Sequence, residues 1–252
     1  MERIIECVPN FSEGRNMEVI EDIVKAIEEG GLQPDCGNPG VKILNIDPGY
    51  ATNRTVITFT GSPEAVLEGI FQGVKRASEL IDMRKHQGTH PRSGATDVLP
   101  LIPISGITLE ECASLARGLA ERIYTELDIP CYCYEAAAFK PERKNLAVCR
   151  AGEYEALPEK ISDPDRRPDF GPDHFTGQAA RSGAINVGAR NFLIAVNFNL
   201  NTKSTDLAKL IAYDVRESGH PKKSSDGTRM PGRLKGCKAI GWFIEEYDIA
   251  QV

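Results

Sequence analysis

Val41-Lys-Ile-Leu-Asn-Ile46 and Arg54-Thr-Val-Ile-Thr-Phe-Thr60 are two strand-like runs that succeed one another without a helix between them. The second is rich in β-branched and aromatic residues, which favour a pleated, half-buried surface. Adjacent strands of this kind argue against the strict βαβα alternation of a doubly wound parallel sheet. Upstream, Arg3 to Val8 reads as a strand. Met17 to Glu28 reads as a helix, with apolar residues at 19, 20, 23, 24 and 27 on one face. Gly30-Gly31 and Pro34-Asp35 end it. Downstream, Ser62-Pro63 supplies an N-cap followed by proline at the first helical position, and a stripe at 66, 67, 70, 74, 77 and 81 carries the helix to about Ile81.

Thr96 to Ile104 is the next apolar strand. Thr108 and Glu111 form a capping box ahead of a helix with apolar positions 112, 115, 116, 119 and 123. Ile129 to Tyr134 then reads as a strand. The order β-α-β-β-α-β, followed by an extra α-β, predicts an α+β fold of the ferredoxin-like (βαββαβ) type, an antiparallel or mixed sheet with helices on one face. A Pro-, Gly- and Asp-rich loop runs from Asp163 to Pro172. A second unit is expected from 189 to 252, after a first at 1–188. It comprises a strand in Asn191-Phe-Leu-Ile-Ala-Val-Asn-Phe198, a helix over Thr205–Ser218 and a strand at Ala239–Ile244. That is half of a second ferredoxin-like subdomain, and a bare half exposes a strand edge and an apolar face. The second subdomain therefore reads as truncated.

Composition narrows the function classes. Of 252 residues, 41% are apolar and 26% charged, the balance of a globular enzyme. No run approaches the roughly 18–20 apolar residues of a membrane span, and the first residues do not read as a secretory signal, so the cytoplasm is the expected location. The formal charge of −6 disfavours nucleic acid. Seven cysteines without a C-x-x-C pair, and four histidines without ligand spacing, argue against a disulfide framework and against a metal site. Cys131 and Cys133 are read as buried thiols on one face of a strand. One basic stretch, Arg216 to Lys238, is either a solvated loop or a landing strip for an anionic ligand.

The densest polar loop is His86-Gln-Gly-Thr-His90-Pro91-Arg92-Ser-Gly94-Ala-Thr-Asp97. Pro91 restricts His90 to an extended backbone, which fixes where the imidazole points. Histidines near an arginine can move a proton and hold an anion; a well-satisfied structural loop accounts for the same residues. Glu6 to Arg15, joining strand to helix, is either an anion site or a helix cap. Asp47 and Arg54 stand at facing strand ends, either as acid and base or as a turn with an ion pair. Phe170 and Phe175 flank Gly171, Pro172, Asp173 and His174 in a loop able to stack on a flat heterocycle or to pack as a linker.

Val8-Pro-Asn-Phe-Ser-Glu-Gly14, Thr52-Asn-Arg-Thr55, His90-Pro-Arg-Ser-Gly-Ala-Thr-Asp-Val98, Arg150-Ala-Gly-Glu-Tyr-Glu155 and Asp169-Phe-Gly-Pro172, in that order, resemble the glutamate formimidoyltransferase family. This resemblance implies two ferredoxin-like subdomains with the substrates between them, and a homodimer. It implies 5-formimidotetrahydrofolate and L-glutamate as substrates, in histidine breakdown, with His90 as the acid/base. It also implies a folate loop over 169–180 that opens with Gly171-Pro172 and includes Phe175. This loop departs from the family, because Asp173 and His174 stand where small hydroxyl residues are expected. From the chemistry, Asp47 is expected to orient the His90 imidazolium, and Arg54 and Arg92 to receive carboxylates of glutamate or folate. Two alternatives share these residues: a folate-linked transferase with a formyl donor or another acceptor, and a folate-binding module without turnover.

Overall fold

A computed structural model describes residues 2–32, 40–221 and 230–252. Pro34-Asp35, Cys36, Lys222, Lys223 and Arg229 lie outside the described residues. The chain divides into two compact units, 1–192 and 193–252.

In the first unit the strands are β1 (Ile4–Cys7), β2 (Asn10–Phe11), β3 (Lys42–Gly49), β4 (Arg54–Gly61), β5 (Thr96–Ser105), β6 (Cys131–Glu135) and β7 (Ile185–Ala189). They form one mixed sheet in which β1 and β2 lie between β4 and β5, β3 pairs with β4 at one side, and β7 lies between β5 and β6 at the other. The β3–β4 hairpin is antiparallel, as the adjacent runs predict, with Asp47 opposite Val56. Helices α1 (Met17–Gly31), α2 (Pro63–Leu80) and α3 (Leu109–Leu127) follow the sequence stripes. Their caps are as read: Ser62 Oγ accepts from the Ala65 N–H, and Thr108 with Glu111 makes the capping box.

Alternation along the strands decides which side chains go where. Ile5, Cys7, Phe11, Ile57, Phe59, Leu99, Leu101, Cys131 and Cys133 point into one core with α1, α2 and α3. The two thiols are fully buried, as their spacing suggests. The expectation of helices on one face holds only for half the sheet. Val98, Tyr132 and Tyr134 point the other way, into a second cluster with Cys149, Leu157, Ile161 and Ala179 from α4 (Leu146–Arg150), α5 (Leu157–Ser162) and α6 (Gly177–Ser182). The β5–β7–β6 half is thus covered twice, so its strands are apolar on both faces.

Strand β7 escaped the sequence reading. It is five residues long, fully buried and parallel to both neighbours, so it shows no alternation. Its Gly188 is required by packing, since a Cβ there would meet the Tyr134 ring and its carbonyl oxygen.

The second unit holds α7 (Thr205–Val215) and a hairpin of β8 (Trp242–Ile244) with β9 (Ile249–Gln251). The expected strand at 191–198 is not one. Those residues are exposed and irregular, and only Phe198 exchanges backbone hydrogen bonds, with Val252. A strand needs a partner for its ladder, and none of the described residues supplies one along this run. Among the described residues of this unit, Ala208 and Ala212 of α7 and Ala250 of β9 are the buried apolar ones.

Candidate active site

The loop from Met83 to Ala95 is tied down along its length. The Met83 N–H donates to the Arg181 carbonyl, and the Ala95 N–H donates to the Ser182 carbonyl at 2.8 Å. Gly94 bridges Gly183, and Ser12 Oγ donates to the Gly94 carbonyl at 2.7 Å. Gly94 must be glycine, because a Cβ would stand 2.6 Å and 2.7 Å from the Ala184 and Ser182 carbonyl oxygens.

His90 sits half-buried on this loop. Its Nδ1 lies 2.7 Å from the Pro91 carbonyl oxygen. A carbonyl only accepts, so Nδ1 carries the hydrogen and the neutral ring presents its lone pair at Nε2. Burial, and then the positive charge of Arg54, hold the imidazole down to a pKa of about 4, with Arg150 acting in the same sense. The ring is therefore neutral at pH 7. Should it gain a proton, it becomes a strong acid.

Behind it lies a buried ion cluster. The β2–β5 register shifts between Asn10 and Phe11, which face Val98 and Thr96, leaving Asp97 as the extra residue of a bulge. Its carboxylate accepts from Arg54 Nη1 at 2.5 Å and Arg150 Nη2 at 2.6 Å through Oδ2. Oδ1 accepts from Arg150 Nε at 3.3 Å and from the Ser93 N–H at 2.9 Å. Burial works to raise the Asp97 pKa, but the two guanidiniums overcome it and hold the carboxyl below its usual range. Asn10 Oδ1 accepts from Arg54 Nη2 at 2.8 Å and from Nε at 3.2 Å. Asn186 Nδ2 donates to the Asp97 carbonyl at 2.9 Å.

Asn53, in the left-handed region at φ 47°, joins two loops. Its Oδ1 accepts from the Gly14 N–H at 3.0 Å, and its Nδ2 donates to the Gln87 carbonyl at 2.9 Å. His86 Nε2 donates to the Asn53 carbonyl at 2.9 Å, which leaves Nδ1 facing Arg92 Nε at 3.4 Å.

The model of the formiminotransferase domain, N-terminal subdomain, matches residues 4–190, and that of the formiminotransferase domain matches residues 195–252. The chain belongs to the formiminotransferase family. It is 47% identical over 252 residues to formimidoyltransferase-cyclodeaminase of Rattus norvegicus, a match covering all of this chain and 43% of that relative. Against glutamate formimidoyltransferase of Streptococcus pyogenes serotype M1 the identity is 44%, covering 100% of the chain and 77% of the relative. For the glutamate formimidoyltransferase of Thermoplasma acidophilum the figures are 38%, 99% and 75%. The chain thus spans less than half the length of the rat protein.

In this formiminotransferase chain the expected site residues fall at four places. His90 is gathered with Arg54, and the sequence reading missed Asp97 and Arg150 as their partners. Each of the three Arg54 guanidinium nitrogens already donates one bond, to Asp97 or to Asn10. Arg92 is likewise engaged. Glu155 grips it through two oxygens at 2.7 Å each, and Glu153 adds a bond at 3.1 Å. Asp47 is exposed on β3, and the bond at His90 Nδ1 is made with the Pro91 carbonyl.

Residues 171–175 lie on the segment entering α6. Gly171, Pro172 and Phe175 are half-buried, while Asp173 and His174 are exposed and bonded to each other, Nδ1 to Oδ1, at 2.9 Å. Phe175 packs on the second cluster, and Phe170 meets Phe139 edge to face with centroids 5.9 Å apart. Of the two readings of Glu6–Arg15, the capping one describes what is seen. Glu13 Oε1 accepts from the Arg15 and Asn16 N–H groups, and Asn16 Oδ1 caps α1 through Glu18. Among the described residues no group of three or more His, Cys, Asp or Glu is poised for a metal, and no helix is long and apolar enough to cross a membrane.

Proposed function

We propose that this chain transfers the formimidoyl group between 5-formimidotetrahydrofolate and L-glutamate, with His90 as the general acid and base. The observation that carries this reading is the His90 Nδ1 bond to Pro91, which fixes the tautomer whose Nε2 accepts a proton. Membership of the formiminotransferase family, and relatives named glutamate formimidoyltransferase, support the choice of group and acceptor.

Glutamate attacks the formimidoyl carbon through its amine, which loses a proton as the C–N bond forms. Nε2 of His90 takes that proton. The tetrahedral intermediate collapses when N5 of the folate leaves, and N5 leaves readily only if protonated. The imidazolium, strongly acidic beside Arg54 and Arg150, delivers the proton there. One group thus serves both halves of the transfer.

The segment 171–175, with Phe175 and the neighbouring Phe170, is the proposed folate contact. Asp47, on the same sheet face as Arg54, is kept as a substrate-side group. Arg92 acts through the loop it pins to Glu153 and Glu155. The order β5–β1/β2–β4–β3 with its two crossing helices supports a ferredoxin-like first subdomain of the formiminotransferase type, followed by a second formiminotransferase subdomain. The cytoplasm and a homodimer go with this reading.

Steady-state transfer with purified chain tests it. His90→Ala is expected to lower kcat by roughly 10²–10⁴ with folate binding retained, the usual range for a lost general acid/base. Turnover within a few-fold of the unaltered chain would remove His90 from the mechanism. Formyl donors and aspartate, run in parallel, distinguish the neighbouring chemistries. Folate binding with no product from any pair would favour the binding-module reading.

A further inference from the structure

Asp97 brings one negative charge to a setting that already holds two positive ones. Its side chain is fully buried, and those of Arg54 and Arg150 are 9% and 16% exposed, so the cluster retains a net positive charge. A charge at that depth is costly unless an anion neutralises it. The nearby carboxylates of Glu153 and Glu155 are spent on Arg92.

The donor inventory shows which guanidinium nitrogen has no partner among the described residues. Arg54 gives Nε, Nη1 and Nη2 to Asn10 and Asp97. Arg150 gives Nε and Nη2 to Asp97, while its Nη1 has no hydrogen-bond partner among the described residues. On the segment between His90 and Asp97, the hydroxyls of Ser93 and Thr96 are buried and also without partners. The same segment is fastened to the cluster by the Ser93 N–H on Asp97 Oδ1. Unmet donors and surplus positive charge therefore adjoin the loop that bears His90.

We infer that Arg150, held in place by Asp97, receives the α-carboxylate of the acceptor amino acid and selects α-amino acids over simple amines. The inference rests on the transfer reading above and deepens it. In an α-amino acid the carboxylate is one carbon from the attacking nitrogen, so its receptor must adjoin the group that takes the amine's proton. Arg150 shares Asp97 with the Ser93 N–H of the loop that bears His90, its charge acts on that imidazole, and its Nη1 has a donor to give. Arg92 does not, because a new carboxylate there would have to displace Glu155. Asp97 is a positioning residue in this scheme: it turns the Arg150 fork and touches no substrate.

The test compares L-glutamate with 4-aminobutyrate, which keeps the amine and the distal carboxylate but lacks the α-carboxylate. With the unaltered chain, kcat/KM should favour glutamate by roughly 10- to 150-fold, the worth of one charge-assisted contact. In Arg150→Gln the preference should shrink toward unity, through a higher KM for glutamate with the KM for the folate donor unmoved. Arg150→Lys keeps the charge but not the fork, and should fall between the two. A preference in Arg150→Gln equal to that of the unaltered chain overturns the assignment. If Arg150→Gln does not fold, an unchanged preference in Arg150→Lys overturns it equally. Absence of transfer to either amine from the unaltered chain instead brings down the transfer reading, and this assignment with it.

Discussion

Asp97→Asn changes one carboxylate oxygen to an amide nitrogen and almost nothing in shape, so its cost follows bond by bond. The amide oxygen can keep one pair of donors, either Arg54 Nη1 with Arg150 Nη2 or Arg150 Nε with the Ser93 N–H. The first pair makes the shorter bonds, at 2.5 Å and 2.6 Å, and the second keeps the loop anchored. Whichever pair is lost then faces an NH₂ group, donor against donor. Hydrogen bonds to charged groups are worth about 1.5–3 kcal/mol each. Stripping the partner from a buried charge costs about 3–5 kcal/mol. These are two views of one loss, and about 3–5 kcal/mol is the expected destabilisation. For a unit of this size each kcal/mol lowers Tm by about 2–4 °C, so Tm should fall by roughly 6–20 °C. Far-UV circular dichroism is the suitable probe, because it reads the helices and strands of the first unit directly, whereas the single tryptophan, Trp242, belongs to the second. A Tm within about 2 °C of the unaltered protein would refute the argument. It would mean that solvent already satisfies the two guanidiniums and that the cluster is not closed.

The titration of His90 gives a second expectation. Neutral imidazole is the active base, and a pKa lowered from the usual histidine value to about 4 keeps the base form populated well below pH 6. The acid limb of kcat/KM should therefore lie near 4, and a limb at 6.5 or above would show that the ring is neither buried nor close to Arg54. The same shift acts on stability: the unfolded ring takes up its proton first as pH falls, so the His90 contribution declines from about 6.5 toward 4. Lys160 has the same sign at the other end of the scale. Its ammonium is buried over the Tyr132 ring at 4.8 Å, donating to the Cys149 carbonyl, and burial lowers its pKa to about 8. Between about 8 and 10.5 the unfolded chain holds more protons, so stability gains as pH rises. The urea midpoint of the unaltered protein should climb relative to Lys160→Met across that range, and parallel curves would show that the ammonium is solvated.

What could be read from the sequence and what could not divide along a physical line. Helices α1, α2 and α3, with the Ser62 and Thr108 caps, are set by residues three or four apart, so periodicity finds them. The β3–β4 hairpin is as local. Strand β7 is decided by neighbours about 50 and 90 positions away, and it carries neither alternation nor bulk to betray it. The run at 191–198 shows the converse failure: apolar residues in sequence favour a strand, but a strand exists only where another backbone completes its ladder.

Partners, more than elements, were hidden at the site. A sequence displays a guanidinium but not what already occupies it, so Arg54 and Arg92 look available to a substrate when Asp97 and Glu155 hold them. Composition offered one usable signal. The motif beginning at His90 carries Asp97, an acid at the start of an otherwise largely apolar strand, where burial would be prohibitive without cations nearby. The motifs Thr52–Thr55 and Arg150–Glu155 each carry an arginine and are the obvious suppliers. Two arginines for one acid leave a positive remainder, and a partly buried remainder favours an anion. That deduction needed only the burial of position 97, and from it the carboxylate receptor is sought first at Arg150 rather than at Arg92.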